Sequence, residues 1–321
     1  MVVPIKGRLL LLAFTFTLLS LFFAGPAGAA FPGRNGRVAY EASGAQDFGD
    51  PPDSIQAIAD VTAGGRGARR LAGCTIEDER TARGNCALGY SAPAYSPNGK
   101  RIVFDAGRRL AIMASNGSGL RLLARQTDND SEPAFSPSGR GLVFTGRTRV
   151  RGRRRLNLYI LDLRSGRTRR LTRRGGRQAT WSSRNRIAFV RGGDIYVARR
   201  NGPSRRLTRG AQPDWSPHGS KLVFVRDGDL YTAPLRGLRP RRLPIGAGEG
   251  RRPVWSPDGR RIAYELGVSA LNGVYSCGGY TECISIYAIR AKGPGRRRVL
   301  AHRTGGAYEV QAFDPIWQPL R

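Results

Sequence analysis

The stretch "RPVWSPDGRRIAYE" (252–265) decides the fold. Pro257 presets φ at the first central position of a turn, Asp258 tolerates the second, and Gly259 accepts the backbone that follows. The run after the turn is short, apolar and rich in β-branched and aromatic residues, which is typical of a strand. The stretch therefore predicts a strand ending at a buried aromatic, a tight turn and a second strand.

This pattern recurs along the chain. Similar segments, spaced 34 to 46 residues apart, are headed by Tyr95, Phe135, Trp181, Trp215 and Trp255. Each is followed by a second strand, then in several copies by a third such as "DIYVAR" (194–199) and a fourth that carries "RRL". Because a fixed period of this kind marks a repeat architecture, each unit is predicted to be a four-stranded antiparallel meander without helix.

The two ends of the chain determine how many units there are. The first unit begins at "NGRVAYE" (35–41) and lacks its innermost strand, while Pro315, Trp317 and Pro319 repeat at the other end the spacing of Pro253, Trp255 and Pro257. Radial closure buries both faces of every small sheet, whereas a solenoid would need polar capping repeats. We therefore predict an all-β, six-bladed β-propeller over residues 30–321, closed by pairing of the C-terminal strand (315–319) with the N-terminal blade.

The first 29 residues are expected to be a signal peptide. Lys6 and Arg8 precede a long apolar run (9–24), and Ala27-Gly28-Ala29 fits a signal-peptidase site. An uncleaved membrane anchor is the alternative, because the run approaches spanning length. The sequence thus predicts an exported protein that meets a membrane only if this segment is retained.

Four cysteines agree with export. Cys74 and Cys86 are close in sequence, as are Cys277 and Cys283, and local disulfides are the simplest of three connectivities. A cross-link between the two loops is a second possibility. A four-thiolate zinc site is a weaker one, because neither spacing is the short one that places two sulfurs on one ion.

The formal net charge is +31, almost all of it from arginine. An exported protein rarely meets nucleic acid, so an anionic envelope polymer or a protein is the expected partner. Paired arginines recur on the predicted outermost strands, where charge discourages edge-to-edge aggregation. A different cluster, Arg151, Arg153, Arg154 and Arg155, falls in a predicted loop and is the best candidate for contact with a polyanion.

The repeats resemble those of a known family. The Ser-Pro-Asp-Gly turn after an aromatic, with "GDIY" or "GDLY" and "RRLT" downstream, is similar to the WD40-like (PD40) propeller repeats of the TolB family and extends over residues 36–321. The resemblance implies a propeller, an architecture that hosts binding modules, lyases, cyclases and peptidase side domains. Few residues precede the first unit, so the α/β domain of TolB is expected to be absent and its Tol-Pal role does not carry over.

Three places before each inner aromatic stands a residue that should ring the mouth of the central channel. These six residues are Ala92, Glu132, Gln178, Gln212, Arg252 and Asp314. They are predicted to lie on the face that carries the long loops, where such a ring would solvate the channel or hold water, a cation or a partner's side chain. The acidic run Glu77-Asp78-Glu79, with Asp128 and Asp130 nearby, is a candidate for binding calcium or a basic partner, but the D-x-D-x-D-G pattern of a calcium loop is absent.

The sequence contains little sign of catalysis. His218 is explained by its turn, and His302 lies between blades without a specified partner. The chain has no G-x-S-x-G elbow, phosphate loop or H-E-x-x-H motif. We therefore expect a monomeric binding module without cofactor or metal. The alternative is a polysaccharide lyase or hydrolase that uses His302, Glu132, Asp314 and Arg252 at the channel mouth.

Overall fold

The repeat determines the architecture of the chain, and a computed structural model describes it over most of its length. The described residues are 31–46, 53–74, 89–150, 152–200, 202–269, 282–292, 298–301 and 310–320. The predicted signal peptide, Glu77-Asp78-Glu79 and His302 lie outside them, as do Arg151, Cys86 and Cys277. Within the described ranges the chain forms strands and turns, and no helix long and apolar enough to cross a membrane is found there.

The strands follow one another as six sets of four. Blades 1 to 3 are built from β1 Arg34–Gln46, β2 Asp53–Val61, β3 Arg69–Cys74, β4 Tyr90–Tyr95, β5 Arg101–Ala106, β6 Arg109–Ala114, β7 Arg121–Leu122, β8 Asn129–Phe135, β9 Gly141–Val150, β10 Arg153–Asp162 and β11 Thr168–Arg170. Blades 4 to 6 are built from β12 Arg177–Trp181, β13 Arg186–Arg191, β14 Asp194–Arg199, β15 Ser204–Arg209, β16 Ala211–Trp215, β17 Lys221–Arg226, β18 Asp229–Pro234, β19 Arg241–Arg242, β20 Glu249–Trp255, β21 Arg261–Ser269, β22 Glu282–Arg290 and β23 Arg298–Ala301. The last strand is β24 Val310–Leu320.

These strands form six four-stranded antiparallel sheets, as a six-bladed propeller requires. In blades 2 to 6 the order is sequential, whereas blade 1 has the order β24-β1-β2-β3. Val38 pairs with Trp317 and Ala39 with Ile316, so the C-terminal strand is the innermost strand of the N-terminal blade. The predicted fold and its closure are confirmed. The closing strand is longer than the predicted 315–319, because its pairing with β1 extends over the whole of β24.

The inner aromatics pack between the blades. Tyr95, Phe135, Trp181, Trp215, Trp255 and Trp317 are each 5% exposed or less. In the described part of the chain, most buried apolar residues fall into five clusters, which join neighbouring blades. Blade-to-blade contact therefore supplies the hydrophobic burial that no single sheet could achieve.

The end of the closing strand also fixes a turn of blade 2. Gln318 donates its side-chain amide to the carbonyl of Gly99 at 2.9 Å. Gly99 has φ of +67°, and a Cβ at this position would lie 2.1 Å from the carbonyl oxygen of Pro319. Only glycine permits this close approach.

The outermost strands carry the paired arginines, as predicted, but several of those arginines are engaged in ion pairs. Asp60 is fully buried and bonds Arg37 at 2.7 Å and Arg69 at 2.8 Å. Arg206 pairs with Asp194 and Arg242 with Asp229, both at 2.7 Å. Arg69, Arg206 and Arg242 thus link the outermost strand to the strand beside it in addition to charging the edge, whereas Arg37 reaches Asp60 from β1.

The two faces of the propeller differ. The turn face carries the Ser-Pro-x-Gly turns, and the mouth face carries the connections between second and third strands.

Residues 145–155 were expected to be an irregular loop, and this prediction was wrong. Apart from residues 151 and 152, they form the ends of β9 and β10, two ten-residue strands paired up to Val150 and Arg153, so Arg153, Arg154 and Arg155 lie on a strand.

Candidate functional site

The six residues predicted to ring the channel share one unusual backbone conformation. Ala92, Glu132, Gln178, Gln212, Arg252 and Asp314 all have φ between 48° and 57°. In each inner strand the register shifts at this position, which marks a β-bulge. Left-handed backbone at a non-glycine residue costs on the order of 1–3 kcal/mol, so surrounding contacts must hold it in place.

Hydrogen bonds between blades hold this conformation in blades 4 to 6. The backbone N–H of Gln178 donates to Glu132 Oε2 at 2.7 Å, that of Gln212 to Gln178 Oε1 at 3.0 Å, and that of Arg252 to Gln212 Oε1 at 2.8 Å. Each bulge therefore directs its N–H towards the side chain of the preceding blade. The side chains of the ring are used to join the blades.

Two ring residues, Ala92 and Arg252, have no acceptor atom in the side chain. In their blades a carboxylate on the second strand accepts the N–H of the next blade instead. Next to Ala92, Asp105 on β5 accepts the N–H of Glu132 at 2.9 Å. Next to Arg252, Glu265 on β21 accepts the N–H of Asp314 at 2.6 Å. Asp314 in turn accepts the N–H of Ala92, which completes a closed circle of six interblade hydrogen bonds.

The sequence reasoning identified the ring but missed Asp105, Glu265 and Glu41. These three carboxylates occupy the same position of the second strand in "RIVFDA", "RIAYEL" and "RVAYEA". The signal was present, because an acid appears there beside Ala92 and Arg252, the two ring residues that cannot accept. In blade 3, Thr145 occupies this position and donates its hydroxyl to Glu132 at 2.5 Å.

The carboxylates around the channel are buried together. Arg252 bonds Glu265 at 3.0 Å and Asp314 at 2.9 Å, and its side chain is 13% exposed. Burial alone would lower the pKa of Arg252, but Asp314, Glu265 and Glu41 raise it. Burial raises the pKa of Glu265 and Asp314, and Arg252 opposes that shift. The guanidinium therefore compensates two of the buried negative charges.

Other channel carboxyls have less compensation. Burial and repulsion from Asp314 hold the pKa of Glu41 well above its usual range, and the two side chains share a hydrogen bond. Burial and repulsion from Glu132 do the same for Asp105. Burial also raises the pKa of Glu132, although Thr145 and the Gln178 N–H oppose it. The arrangement at Glu41 is that of a protonated acid that donates a hydrogen bond to the neighbouring carboxylate of Asp314.

The shift at Glu41 leads to a prediction about stability. Below the ordinary glutamate pKa of 4.5, the folded and unfolded chains both hold the proton. As pH rises, the unfolded chain releases it first, so stability falls until the folded-state pKa is reached, by at most about 1.4 kcal/mol per pH unit. In E41Q the amide replaces the protonated acid. We expect E41Q to match the wild type near pH 4 and to exceed it at pH 8 in urea unfolding.

The exposed Glu249 provides the control for this experiment. E249Q is expected to give a pH profile parallel to that of the wild type. If E41Q is less stable than the wild type by the same amount at both pH values, Glu41 does not carry a retained proton.

Other predicted site residues have structural partners or lie outside the described residues. Asp130 is 1% exposed and accepts hydrogen bonds from the Gln126 N–H at 2.7 Å and from Thr127. It therefore braces its loop and is not available for calcium. In the described part of the chain, no group of three or more His, Cys, Asp or Glu residues is arranged to hold a metal ion. Of the cysteines, only the backbones of Cys74 on β3 and Cys283 on β22 are described, so the disulfides stay a prediction.

The mouth face has a strongly basic hairpin above blade 3. Arg149, Arg153, Arg154 and Arg155 are exposed and Arg147 is partly exposed. Among the described residues, none of these five side chains has a hydrogen-bonded or ionic partner. Arg149 and Arg154 lie directly opposite each other in the register. Like charges at directly opposed positions destabilise a strand pair.

Comparison with known proteins supports the fold. No protein-family model matches the chain, and no curated protein matches it in sequence. Among solved structures, TolB from Acinetobacter baumannii superposes with a TM-score of 0.66 at 17% identity, covering 88% of this chain and 67% of that one. The fold is that of the TolB-like propellers. The PD40 repeat family itself is not confirmed.

Two further structures agree with this assignment of the fold. A putative TolB from Agrobacterium tumefaciens gives a TM-score of 0.60 at 17% identity, covering 89% of this chain and 99% of that one. An oligogalacturonate lyase in complex with manganese gives a TM-score of 0.52 at 13% identity, covering 84% and 86%. At such identities the likeness concerns the fold alone.

Proposed function

We propose that the protein is an exported, monomeric, non-catalytic propeller whose mouth face binds an anionic partner, either an acidic protein surface or an envelope polymer. The observation that carries this proposal is the β9–β10 hairpin. Four residues longer than the strands of blade 4, it extends roughly 13 Å beyond the blade. It places Arg149 and Arg154 directly opposite each other, and neither side chain has an ionic partner among the described residues. A bound anion would relieve that repulsion.

The ring residues are mostly buried and engaged between blades, which favours binding by the loops and the hairpin above the channel mouth. Glu132, Gln178 and Asp314 are all less than 10% exposed, and each is joined to a neighbouring blade by a hydrogen bond or an ion pair. A partner would have to break interblade hydrogen bonds to use them. Binding by the ring, as the sequence predicted, is therefore less favourable than binding by the exposed hairpin.

Further cations on the mouth face are held in fixed positions. Arg191 lies over the stacked rings of Phe189 and Tyr196, 4.7 Å from the Tyr196 centroid. In the next blade, Arg226 makes the same contact and lies 5.1 Å from the centroid of the Tyr231 ring. Both guanidinium groups also donate to backbone carbonyls. Cations that are already ordered lose little entropy when an anion binds.

The proposal predicts that binding depends on the hairpin arginines. The triple variant R153Q/R154Q/R155Q should lose about tenfold in affinity for its envelope partner at low salt, and the difference should shrink at high salt as the charges are screened. The measurement is capture from an envelope extract on immobilised protein across a salt series. Tm values of the variants establish that they fold.

A matched triple on the turn face of the same blade is the control. Arg140, Arg164 and Arg167 are exposed, and R140Q/R164Q/R167Q removes the same charge from the other side of the molecule. It should retain wild-type capture. Equal losses in the two triples would show that net charge, and not the hairpin, is responsible, and the proposal would then be rejected.

Catalysis at the channel is the second candidate. It is favoured by the raised pKa values of Glu132 and Asp314 beside Arg252, since perturbed carboxyls occur at acid–base sites. The oligogalacturonate lyase has a similar fold. The test is turnover of polygalacturonate by the wild type and by E132Q. Turnover that is lost in E132Q would establish a catalytic channel, and no turnover by either protein would leave the binding role.

A further inference from the structure

A cleft opens between blades 4 and 5 on the turn face, on the side of the molecule opposite the hairpin. Its volume is about 450 Å³. Val197, Ala198 and Leu235 form an apolar floor, with Gly202 and Pro203 on one wall, and four arginines surround it: Arg186, Arg199, Arg205 and Arg236. This size lies within the range of small-molecule sites in proteins.

At this cleft, a hydrogen bond that is made at two other blade junctions is missing. Arg169 in blade 3 donates to the carbonyl of Arg200 in blade 4 at 2.8 Å, and Arg241 in blade 5 donates to that of Ala291 in blade 6 at 3.3 Å. The strand registers make Arg205 the equivalent of these two arginines.

By the same registers, the acceptor that Arg205 would need is the carbonyl of Leu235. Arg205 makes no such bond. Its guanidinium remains exposed at the rim, and the junction stays open. The same strand position therefore forms an interblade hydrogen bond at two junctions and none at the junction that contains the cleft.

The rim is positively charged without compensation. The lining contains four arginines and no Asp or Glu. Among the described residues, none of these four guanidinium groups has a hydrogen-bonded or ionic partner. This contrasts with Arg206 and Arg242 on the neighbouring edge positions, which pair with Asp194 and Asp229. Four adjacent unpaired cations repel one another, and an anion would remove that cost.

We propose that this cleft is a binding site for a phosphate monoester carried on a short apolar group. Arginine matches the geometry of phosphate oxygens with two parallel hydrogen bonds and stays charged at every physiological pH. The apolar floor would take the hydrocarbon part, and the rim of arginines the phosphate. This site lies beyond the proposed function of the mouth face and does not depend on it.

Calorimetric titration of the mature protein with hexyl phosphate, inorganic phosphate and hexanol tests the proposal. Hexyl phosphate should bind at least about tenfold more tightly than inorganic phosphate, because only it fills the apolar floor. Hexanol should give no measurable binding. Equal affinity for hexyl phosphate and inorganic phosphate, or no binding of hexyl phosphate, would overturn the site. This comparison uses the wild type and so does not depend on a variant that folds.

Variants then locate the binding. R205Q/R236Q should weaken hexyl phosphate binding by about tenfold or more. R173Q/R174Q removes two exposed arginines from the mouth face and should change the affinity less than twofold. Equal weakening in both variants would show a nonspecific charge effect and would overturn the proposal.

The phosphate could come from a lipid headgroup or from a soluble ester, and vesicles distinguish the two sources. The protein is floated with phosphatidylcholine vesicles with or without phosphatidic acid. Flotation that needs phosphatidic acid and is lost in R205Q/R236Q, but not in R173Q/R174Q, supports the site and assigns it to lipid. Hexyl phosphate binding without flotation supports the site and assigns it to a soluble ester.

Discussion

W317A is expected to lower the free energy of unfolding by about 3 to 5 kcal/mol, which corresponds to a fall in Tm of roughly 6 to 10 °C. Trp317 is 2% exposed in the closing strand and lies opposite Val38 of the first blade. Its loss leaves a cavity in the cluster where the two ends of the chain meet. Deleting residues 313–321 should cost more, because it also removes Asp314 from the ring and exposes the edge of β1.

The control for this prediction lies in the same strand. Leu320 is 38% exposed, so L320A should change stability by no more than about 0.5 kcal/mol. Thermal unfolding of the wild type and these three variants, followed by circular dichroism, gives the comparison. A truncated protein as stable as the full chain would contradict closure of the propeller by β24.

R252M is expected to be the most damaging single substitution around the channel. Removing one partner of a buried ion pair costs about 3–5 kcal/mol, because the remaining charge stays buried. Here two carboxylates, those of Glu265 and Asp314, lose their counter-ion together. Each would then hold its proton to a higher pH than in the wild type.

The pH dependence of R252M separates this cause from simple loss of packing. The carboxyls of the unfolded chain ionise above about pH 4 to 4.5. Without Arg252 the folded-state pKa values rise further, so the loss of stability should be small near pH 4 and should grow towards pH 8. Urea unfolding at both pH values measures it. A loss that is the same at pH 4 and pH 8 would mean that Arg252 acts mainly through packing.

A more exposed ion pair provides the comparison for R252M. Arg209 and Asp227 are 72% and 67% exposed and lie 3.3 Å apart. Because solvent screens such a pair, R209M should cost about 0 to 1 kcal/mol.

Much of the fold was predictable because the information is local and repeated. The turn of "SPDG", the buried aromatic before it and the strand after it depend on a few adjacent residues, and five copies make the period clear. The incomplete first unit and the leftover Trp317 then determine the closure. The extent of β24 was underestimated because its N-terminal part, residues 310–313, pairs with residues 41–44 at the end of β1, and this segment of β1 carries no repeat signal.

The candidate site was only partly predictable. Position in the repeat located the ring from Ala92 to Asp314, but the left-handed conformation and the interblade hydrogen bonds depend on how neighbouring blades meet. In blade 2 the acceptor for the next blade comes from Asp105 on the second strand, because Ala92 on the inner strand has none. This replacement involves two strands, so it can be recognised only when the register between them is known. The same holds for the missing bond at Arg205, because the outermost strands at all three junctions carry the same RRL segment.

Residues 145–155 show a different limit. Six arginines and two glycines in that stretch favour a loop by composition. The strand pairing of β9 with β10 overrides this preference, because the hairpin continues a well-packed blade in which Phe144 stacks on Tyr159. Composition therefore identified the charge of the hairpin correctly and its conformation wrongly.

Site-specific photocrosslinking tests the role of the mouth face most directly. A photoreactive residue replaces Arg154 on the hairpin in one protein and Arg164, exposed on the turn face of the same blade, in another. After irradiation in envelope extract, the mouth-face position is expected to capture a discrete partner whose yield falls with salt, and the turn-face position is expected to capture none. Capture of the same partner at Arg164 and not at Arg154 would contradict binding through the mouth face.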